Sequence, residues 1–147
     1  GRIDVVATDH APHTKEEKNN SYFKAPSGGP LVQHALVAML DLVHDGLLPV
    51  EKVVDLMAHR VARLFRMADR GFIRPGMKAD LVVVQPNDPW TVHEDNVMSK
   101  CGWSPFQGHT FKSRVHETWV NGTQVWDGQR ITTTHGDHVG ERLTFAR

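Results

Sequence analysis

An aspartate and two histidines lie within five residues near the start of the chain, in the segment Asp9-His10-Ala11-Pro12-His13. A carboxylate and imidazoles in such proximity are groups that proteins use for proton transfer and metal binding. The β-branched, apolar run Ile3 to Ala7 precedes them and predicts a buried parallel strand. Because catalytic groups in parallel α/β folds stand at the carboxyl ends of strands, Asp9 occupies the position expected of a catalytic carboxylate.

A turn-forming cluster, Ala25-Pro26-Ser27-Gly28-Gly29-Pro30, follows the polar loop that begins at Thr8. Taken alone, Ser27-Gly28-Gly29 is typical of a turn that precedes a helix. An Asp-x-x-x-His spacing is in the same way common in surface loops and helix caps. Only the longer strings around both segments distinguish a functional site from these simpler interpretations.

The string Ala7-Thr8-Asp9-His10-Ala11-Pro12-His13-Thr14, followed by Lys15-Glu16-Glu17-Lys18, resembles the signature after the last barrel strand of dihydroorotases, zinc enzymes of the amidohydrolase superfamily. Ala25 to Leu31 is similar to the dihydroorotase substrate loop. Gly71 to Val83 and Val115 to Gly122 are similar to the small β-domain of amidohydrolases, so the resemblance covers almost the whole chain. One departure is Arg60-Val61, where relatives commonly carry Asn-Pro; it affects helix geometry rather than chemistry.

The resemblance implies reversible hydrolysis of the cyclic amide of dihydroorotate to N-carbamoyl-L-aspartate in pyrimidine biosynthesis, with one or two zinc ions activating water. Asp9 is then expected to ligate zinc and to pass a proton from the attacking hydroxide to the departing nitrogen. His13 is expected to bind the substrate carboxylate, while Ser27 and Gly28 present backbone groups to the ring. Glycine suits that position because a backbone without a side chain can approach a planar ligand closely.

The remaining metal ligands that the resemblance implies have no counterpart in the sequence. The family binds its metals mainly through a His-x-His pair, further histidines and a bridging ligand, and no His-x-His occurs here. A catalytic zinc needs at least three protein ligands, which one aspartate does not supply. The chain, which opens without a methionine, is therefore expected to be the C-terminal portion of a larger enzyme that neither binds zinc tightly nor turns over substrate alone.

The hydrophobic pattern changes from helical to strand-like along the chain and indicates an α/β fold. Apolar spacings of three and four predict a helix from Leu31 to His44 and a second helix after Pro49 that bends or breaks near His59-Arg60. Strands are expected at Ala79 to Val84 and on both sides of the Asn121-Gly122 turn.

The resemblance assigns these elements to two domains. Residues 1–70 are expected to form the C-terminal end of a TIM (β/α)8 barrel, with its last strand and helices. Residues 71–147 are expected to form part of a small β-sandwich domain and a loosely ordered C-terminal tail. Gln85 to Phe111 is expected to be mostly loop, with the aromatic stretch from Trp103 to Phe106 as its anchor.

Composition and charge exclude several classes of protein. The 147 residues are 39% hydrophobic, and 17 basic side chains balance 17 acidic ones, which argues against a disordered tail, a nucleic-acid binder or a membrane-surface peptide. The longest apolar stretch, Ala35 to Leu40, is too short to span a bilayer. Cys101 is the single cysteine and is interpreted as structural, so nothing indicates an oxidising compartment and a cytoplasmic protein is expected.

Two alternative interpretations of the function stay open. Another cyclic amidase, an allantoinase or hydantoinase, shares the Ser/Thr-Asp-His core but usually differs at Ala11, Pro12 and His13. A catalytically inactive dihydroorotase-like scaffold could instead bind a partner such as aspartate transcarbamoylase, and the family also suggests a homodimer. His10 is expected to pack rather than ligate metal, and His135-x-x-His138 suggests a metal pair without a third ligand nearby.

Overall fold

The computed structural model describes residues 2–134 and 136–146, with helices in the first half of the chain and strands in the second. The helices are α1 (Lys15–Lys18), α2 (Ala35–His44), α3 (Val50–Val54) and α4 (Arg60–Leu64), with a π-helical turn at Asp55–His59 and a 3-10 turn at Glu94–Asn96. The strands are β1 (Leu81–Gln85), β2 (Trp90–Thr91), β3 (Thr110–Phe111), β4 (Arg114–Val120) and β5 (Thr123–Trp126). The mixed α/β character expected from the hydrophobic pattern is confirmed.

Both sheets are antiparallel. One sheet has the order β1-β4-β5 and the other pairs β2 with β3. The predicted turn between β4 and β5 is confirmed, with φ of 49° at Asn121 and 81° at Gly122, the positive values that a tight hairpin requires. The predicted strand at Ala79 to Val84 forms as β1, whose bounds lie slightly further along the chain.

The run Ile3 to Ala7 does not form the predicted buried strand. It has no regular structure, and Ile3 is 63% exposed. Val6 N donates to Leu56 O at 3.1 Å, and Arg60 Nη1 donates to Ile3 O at 3.2 Å. A parallel strand needs adjacent strands for its ladder, and the described strands all belong to the two antiparallel sheets.

The helical half follows the predicted order with two local differences. His34 N donates to Leu31 O at 3.1 Å, so α2 begins with a tighter turn and its regular part starts at Ala35. The second helix does not break: it is continuous from α3 to α4 and contains the π-helical turn, where Asp55 accepts from Arg60 Nε at 2.7 Å.

The long connections contain more structure than predicted. The stretch Gln85 to Phe111 includes β2 and β3 as well as loop. The tail after Ile131 contains no helix or strand in its described part, yet its end contacts the helical half, where Ala68 N donates to Thr144 O at 3.0 Å. His135, half of the predicted histidine pair, lies outside the described residues.

An aromatic core joins α2 to the small sheet of β2 and β3. Val37, Val92 and Phe111 are at most 1% exposed, and they pack with Ala38, Trp90, Val97, Phe106 and Val115. His34 stacks on Phe111 with ring centroids 5.7 Å apart. This cluster, called the aromatic core below, draws on residues from both of the segments expected to form separate domains.

A buried arginine links the helical half to the hairpin. Arg70 donates to Asp80 at 2.6 Å, to Asp69 at 2.9 Å and to Asn121 Oδ1 at 2.8 Å. Its bond to Asp80, with support from Asp69, raises the pKa of Arg70 above its ordinary value. In the described part of the chain, no helix has the length and apolar character needed to cross a bilayer.

Candidate active site

Asp9 lies at a sharp turn with its side chain exposed to solvent. Its φ is 45°, in the left-handed region that aspartate tolerates better than most residues. Among the described residues, its carboxylate makes no hydrogen bond or ion pair. The oxygens of Asp9 are therefore free to bind an ion or a substrate group.

The loop that carries Asp9 runs beside the Ser27-Gly28-Gly29 turn. His10 and Gly29 form a parallel bridge, and Ala11 N donates to Gly29 O at 3.2 Å. His10 Nδ1 accepts from the amides of Leu31 at 3.1 Å and Val32 at 3.3 Å, so it connects the loop to the start of α2. His10 thus fastens the two segments together, as expected of a packing residue.

Gly28 occupies a place that no other residue fits. Its φ is 101°, and a Cβ built there would lie 2.6 Å from Ala11 Cβ and 2.8 Å from Ala11 O. Such distances are far below van der Waals contact, so any side chain would push the two loops apart. Ser27 and Gly28 are both exposed to solvent.

His13 lies at the other end of the same loop, just before α1. Its Nδ1 is 3.6 Å from Glu17 Oε2, a pair that is ionic only when the imidazole is protonated. Thr14 caps α1: its Oγ1 accepts from Glu17 N at 3.2 Å, and its own N–H donates to Glu17 Oε2 at 2.8 Å. This backbone bond, together with His13, lowers the pKa of Glu17 and keeps a negative charge beside His13.

Two further side chains fasten the loops. Trp103 Nε1 donates to His13 O at 2.7 Å, which confirms the aromatic stretch as an anchor. Lys18 Nζ donates to Pro26 O at 2.7 Å and to Gly28 O at 3.0 Å. Sequence reasoning did not assign Lys18 a role, because no spacing rule connects a lysine in a short helix to carbonyls eight and ten residues later.

The structure brings the predicted site residues together in part. The bridge sets the loop from Asp9 to His13 beside Ser27 and Gly28. The described residues hold no group of three or more His, Cys, Asp or Glu side chains that could bind a metal ion. A catalytic zinc needs at least three protein ligands held together, so these residues by themselves do not fit a complete zinc centre.

Comparison with known protein families shows to which family the chain belongs. Residues 20–126 match the amidohydrolase family model. The chain belongs to the amidohydrolase family. Its relatives within that family confirm the dihydroorotase resemblance: it is 45% identical to a dihydroorotase of Halobacterium salinarum over 95% of this chain and 33% of that protein. It is 38% identical to a dihydroorotase of Clostridioides difficile over 86% of this chain and 30% of that protein.

Solved structures of hydantoinases have a similar fold. An L-hydantoinase from Arthrobacter aurescens superposes with a TM-score of 0.89 and 28% identity over 97% of this amidohydrolase chain and 32% of that one. A D-hydantoinase from a Thermus species gives a TM-score of 0.81 and 28% identity over 88% of this chain and 30% of that one. The amidohydrolase chain spans about a third of the length of the curated relatives it matches.

Proposed function

We propose that this chain supplies the substrate-binding loops and one metal ligand of a zinc-dependent dihydroorotase. The observation that carries the proposal is the pairing of the Asp9 to His13 loop with the Ser27 to Gly29 turn through the His10–Gly29 bridge. The similarity to dihydroorotases over nearly the whole chain supports the choice of substrate.

Asp9 would hold one position of the metal centre, because its carboxylate is exposed and makes no polar contact within the described residues. The other ligands would have to come from outside those residues, since a catalytic zinc needs at least three protein ligands. Zinc, when bound, lowers the pKa of water towards neutrality and polarises a carbonyl oxygen.

Proton transfer in the proposed reaction is assigned to Asp9. One carboxylate oxygen takes a proton as water adds to the ring carbonyl carbon, and gives it to the amide nitrogen as the carbon–nitrogen bond breaks. The second proton of the water is released to solvent, so the products are a carboxylate and a free ureido nitrogen, as in N-carbamoyl-aspartate. The reverse sequence closes the ring.

Substrate recognition is assigned to both loops. His13 would pair with the carboxylate of dihydroorotate, while the backbone of Ser27 and Gly28 would contact the planar ring. Gly28 keeps the turn close to the Asp9 loop, because a Cβ there would lie 2.6 Å from Ala11 Cβ.

The experiment that tests this proposal compares dihydroorotate with dihydrouracil, which has the same ring without the carboxylate. The zinc-loaded holoenzyme is expected to hydrolyse dihydroorotate with a kcat/KM at least about tenfold higher, because a charged hydrogen bond to the carboxylate is worth roughly that factor. Absence of dihydroorotate turnover in a zinc-loaded, folded enzyme would contradict the proposal.

A second candidate function comes from the fold neighbours, which are hydantoinases and dihydropyrimidinases. A cyclic amidase of that type acts on rings without the carboxylate, so His13 would then have no anionic partner in the substrate. Preference for dihydrouracil or hydantoin over dihydroorotate in the same assay would favour this alternative.

The wider context follows from the dihydroorotase assignment. We propose that residues 1–70 belong to the end of a TIM (β/α)8 barrel and residues 71–147 to part of a β-sandwich domain with the tail. A role in pyrimidine biosynthesis, a cytoplasmic location, a homodimer and association with an aspartate transcarbamoylase remain part of this proposal.

A further inference from the structure

Lys18 is placed between the two loops of the candidate site. It lies at the end of α1, and its side chain reaches back to the Pro26-Ser27-Gly28 turn rather than out to solvent. An ammonium group has three donors. Two of them go to Pro26 O at 2.7 Å and Gly28 O at 3.0 Å, and the group also lies 5.9 Å from the centre of the Trp103 ring.

These bonds determine the direction of the peptide groups in the turn. In a trans peptide the C=O and the N–H of the same unit point in opposite directions, and the described chain has no cis peptide. Because Pro26 O points at Lys18, the N–H of Ser27 points away from it. That N–H has no acceptor among the described residues, which leaves it available to a ligand.

We propose that Lys18 is a positioning residue that fixes the Ser27 amide towards the substrate. The inference rests on the proposed function for its substrate, but not for its geometry. Lys18 neutralises the two carbonyl dipoles that face it and holds them in one orientation, so the turn presents its donor without reorganising when substrate binds. Trp103 supports the same arrangement, since its indole binds His13 O and lies beside Gly29.

The test replaces Lys18 with methionine, which keeps the length of the side chain and removes the donors. In the zinc-loaded holoenzyme, Lys18→Met is expected to raise KM for dihydroorotate about tenfold, the cost of losing charged hydrogen bonds, with kcat within about twofold of the wild type. Lys18→Arg, which retains cationic donors, is expected to recover part of the lost affinity. Lys15→Met is the matched control on the same helix, because Lys15 pairs with the exposed Glu94 and not with the turn.

A second readout does not depend on activity. Amide hydrogen exchange is measured at Ala11, whose N–H donates to Gly29 O of the turn at 3.2 Å. In the substrate-free holoenzyme this exchange is expected to be about tenfold faster in Lys18→Met than in the wild type, and unchanged in Lys15→Met. If Lys18→Met does not fold, the same two measurements on Lys18→Gln take its place.

The outcomes separate the two proposals. A wild-type enzyme without dihydroorotate turnover refutes the proposed function. Faster exchange in Lys18→Met would still support the positioning role of Lys18. A lower kcat with unchanged KM, together with unchanged exchange at Ala11, shows that Lys18 has only a general structural role and overturns the inference.

Discussion

The candidate site and the aromatic core are held together by different forces. In the site, Asp9, Ser27 and Gly28 are exposed, and their loops are joined by a single bridge and by individual polar contacts. In the aromatic core, Val92 and Phe111 are completely buried and surrounded by other rings. Exposure leaves the site groups free to react, and it also leaves them without the packing that fixes a core side chain.

The two regions are connected through consecutive residues. Trp103 binds His13 O, and its neighbour Ser104 is buried with its Oγ 3.2 Å from His34 Nδ1 in the aromatic core. The loop that carries His13 is therefore attached to the buried aromatic core. Because one region is exposed and the other buried, we expect changes in the two regions to affect different properties.

The largest expected effect is on chemistry. Asp9→Asn in the holoenzyme is expected to lower kcat for dihydroorotate by about 10²- to 10⁴-fold, the range for loss of a general acid–base group. Thermal stability is expected to stay unchanged because the side chain is exposed. Asp4→Asn, an exposed aspartate in the same segment, is the matched control, and zinc content is measured in both variants. Full activity in Asp9→Asn would remove Asp9 from the mechanism.

Breaking the aromatic core is expected to affect stability instead. Phe111→Ala leaves a cavity in a fully buried cluster and should lower the free energy of unfolding by about 3–5 kcal/mol. Denaturant unfolding of the variant and of Phe23→Ala, a phenylalanine that is 96% exposed, measures the difference. Equal stability of the two variants would show that the aromatic core does not hold the structure.

Gly28→Ala tests the close approach between the loops. It combines a positive φ with a Cβ only 2.6 Å from Ala11 Cβ, and strain of this kind costs roughly 1–3 kcal/mol. We expect KM for dihydroorotate to rise more than tenfold. Gly76→Ala is the control, since Gly76 has a φ of 85° with nothing within 4 Å of its Cβ position. A KM that changes equally in both variants would contradict the proposed role of the turn.

The smallest effect concerns the buried histidine. Burial lowers the pKa of His34 below its ordinary value of 6.5, and its Nε2 has no hydrogen-bond partner among the described residues. In the unfolded chain His34 binds a proton at a pH where the folded imidazole stays neutral, so the free energy of unfolding rises with pH. The contribution of His34 to this free energy is present above about pH 6.5 and is lost as the pH falls below that value. The variant His34→Gln, which cannot titrate, should show a weaker loss between pH 6.5 and 5 in denaturant unfolding. Identical pH profiles would mean that His34 is not protonated on unfolding.

Sequence patterns predict the helices and the hairpin well because these depend on local spacing. The tight turn of the hairpin requires positive φ at two residues, and Asn121-Gly122 accepts such values. The apolar residues of α2 recur at helical spacing and form one face, which needs only one packing surface. The run Ile3 to Ala7 was wrongly predicted as a strand because strand formation depends on neighbours that no local pattern supplies. A motif predicts Asp9 and His13, whereas the contacts of Lys18 appear only when the turn at Pro26 to Gly28 is folded back onto α1.

The most direct test of the account measures the coupling between His13 and the substrate carboxylate. kcat/KM for dihydroorotate and for dihydrouracil is determined with the wild-type holoenzyme and with His13→Gln. We predict that the variant loses about tenfold or more on dihydroorotate and less than about twofold on dihydrouracil, as expected when one charged hydrogen bond is removed. An equal loss on both substrates would contradict the assignment of His13 to the carboxylate and, with it, the proposed dihydroorotase site.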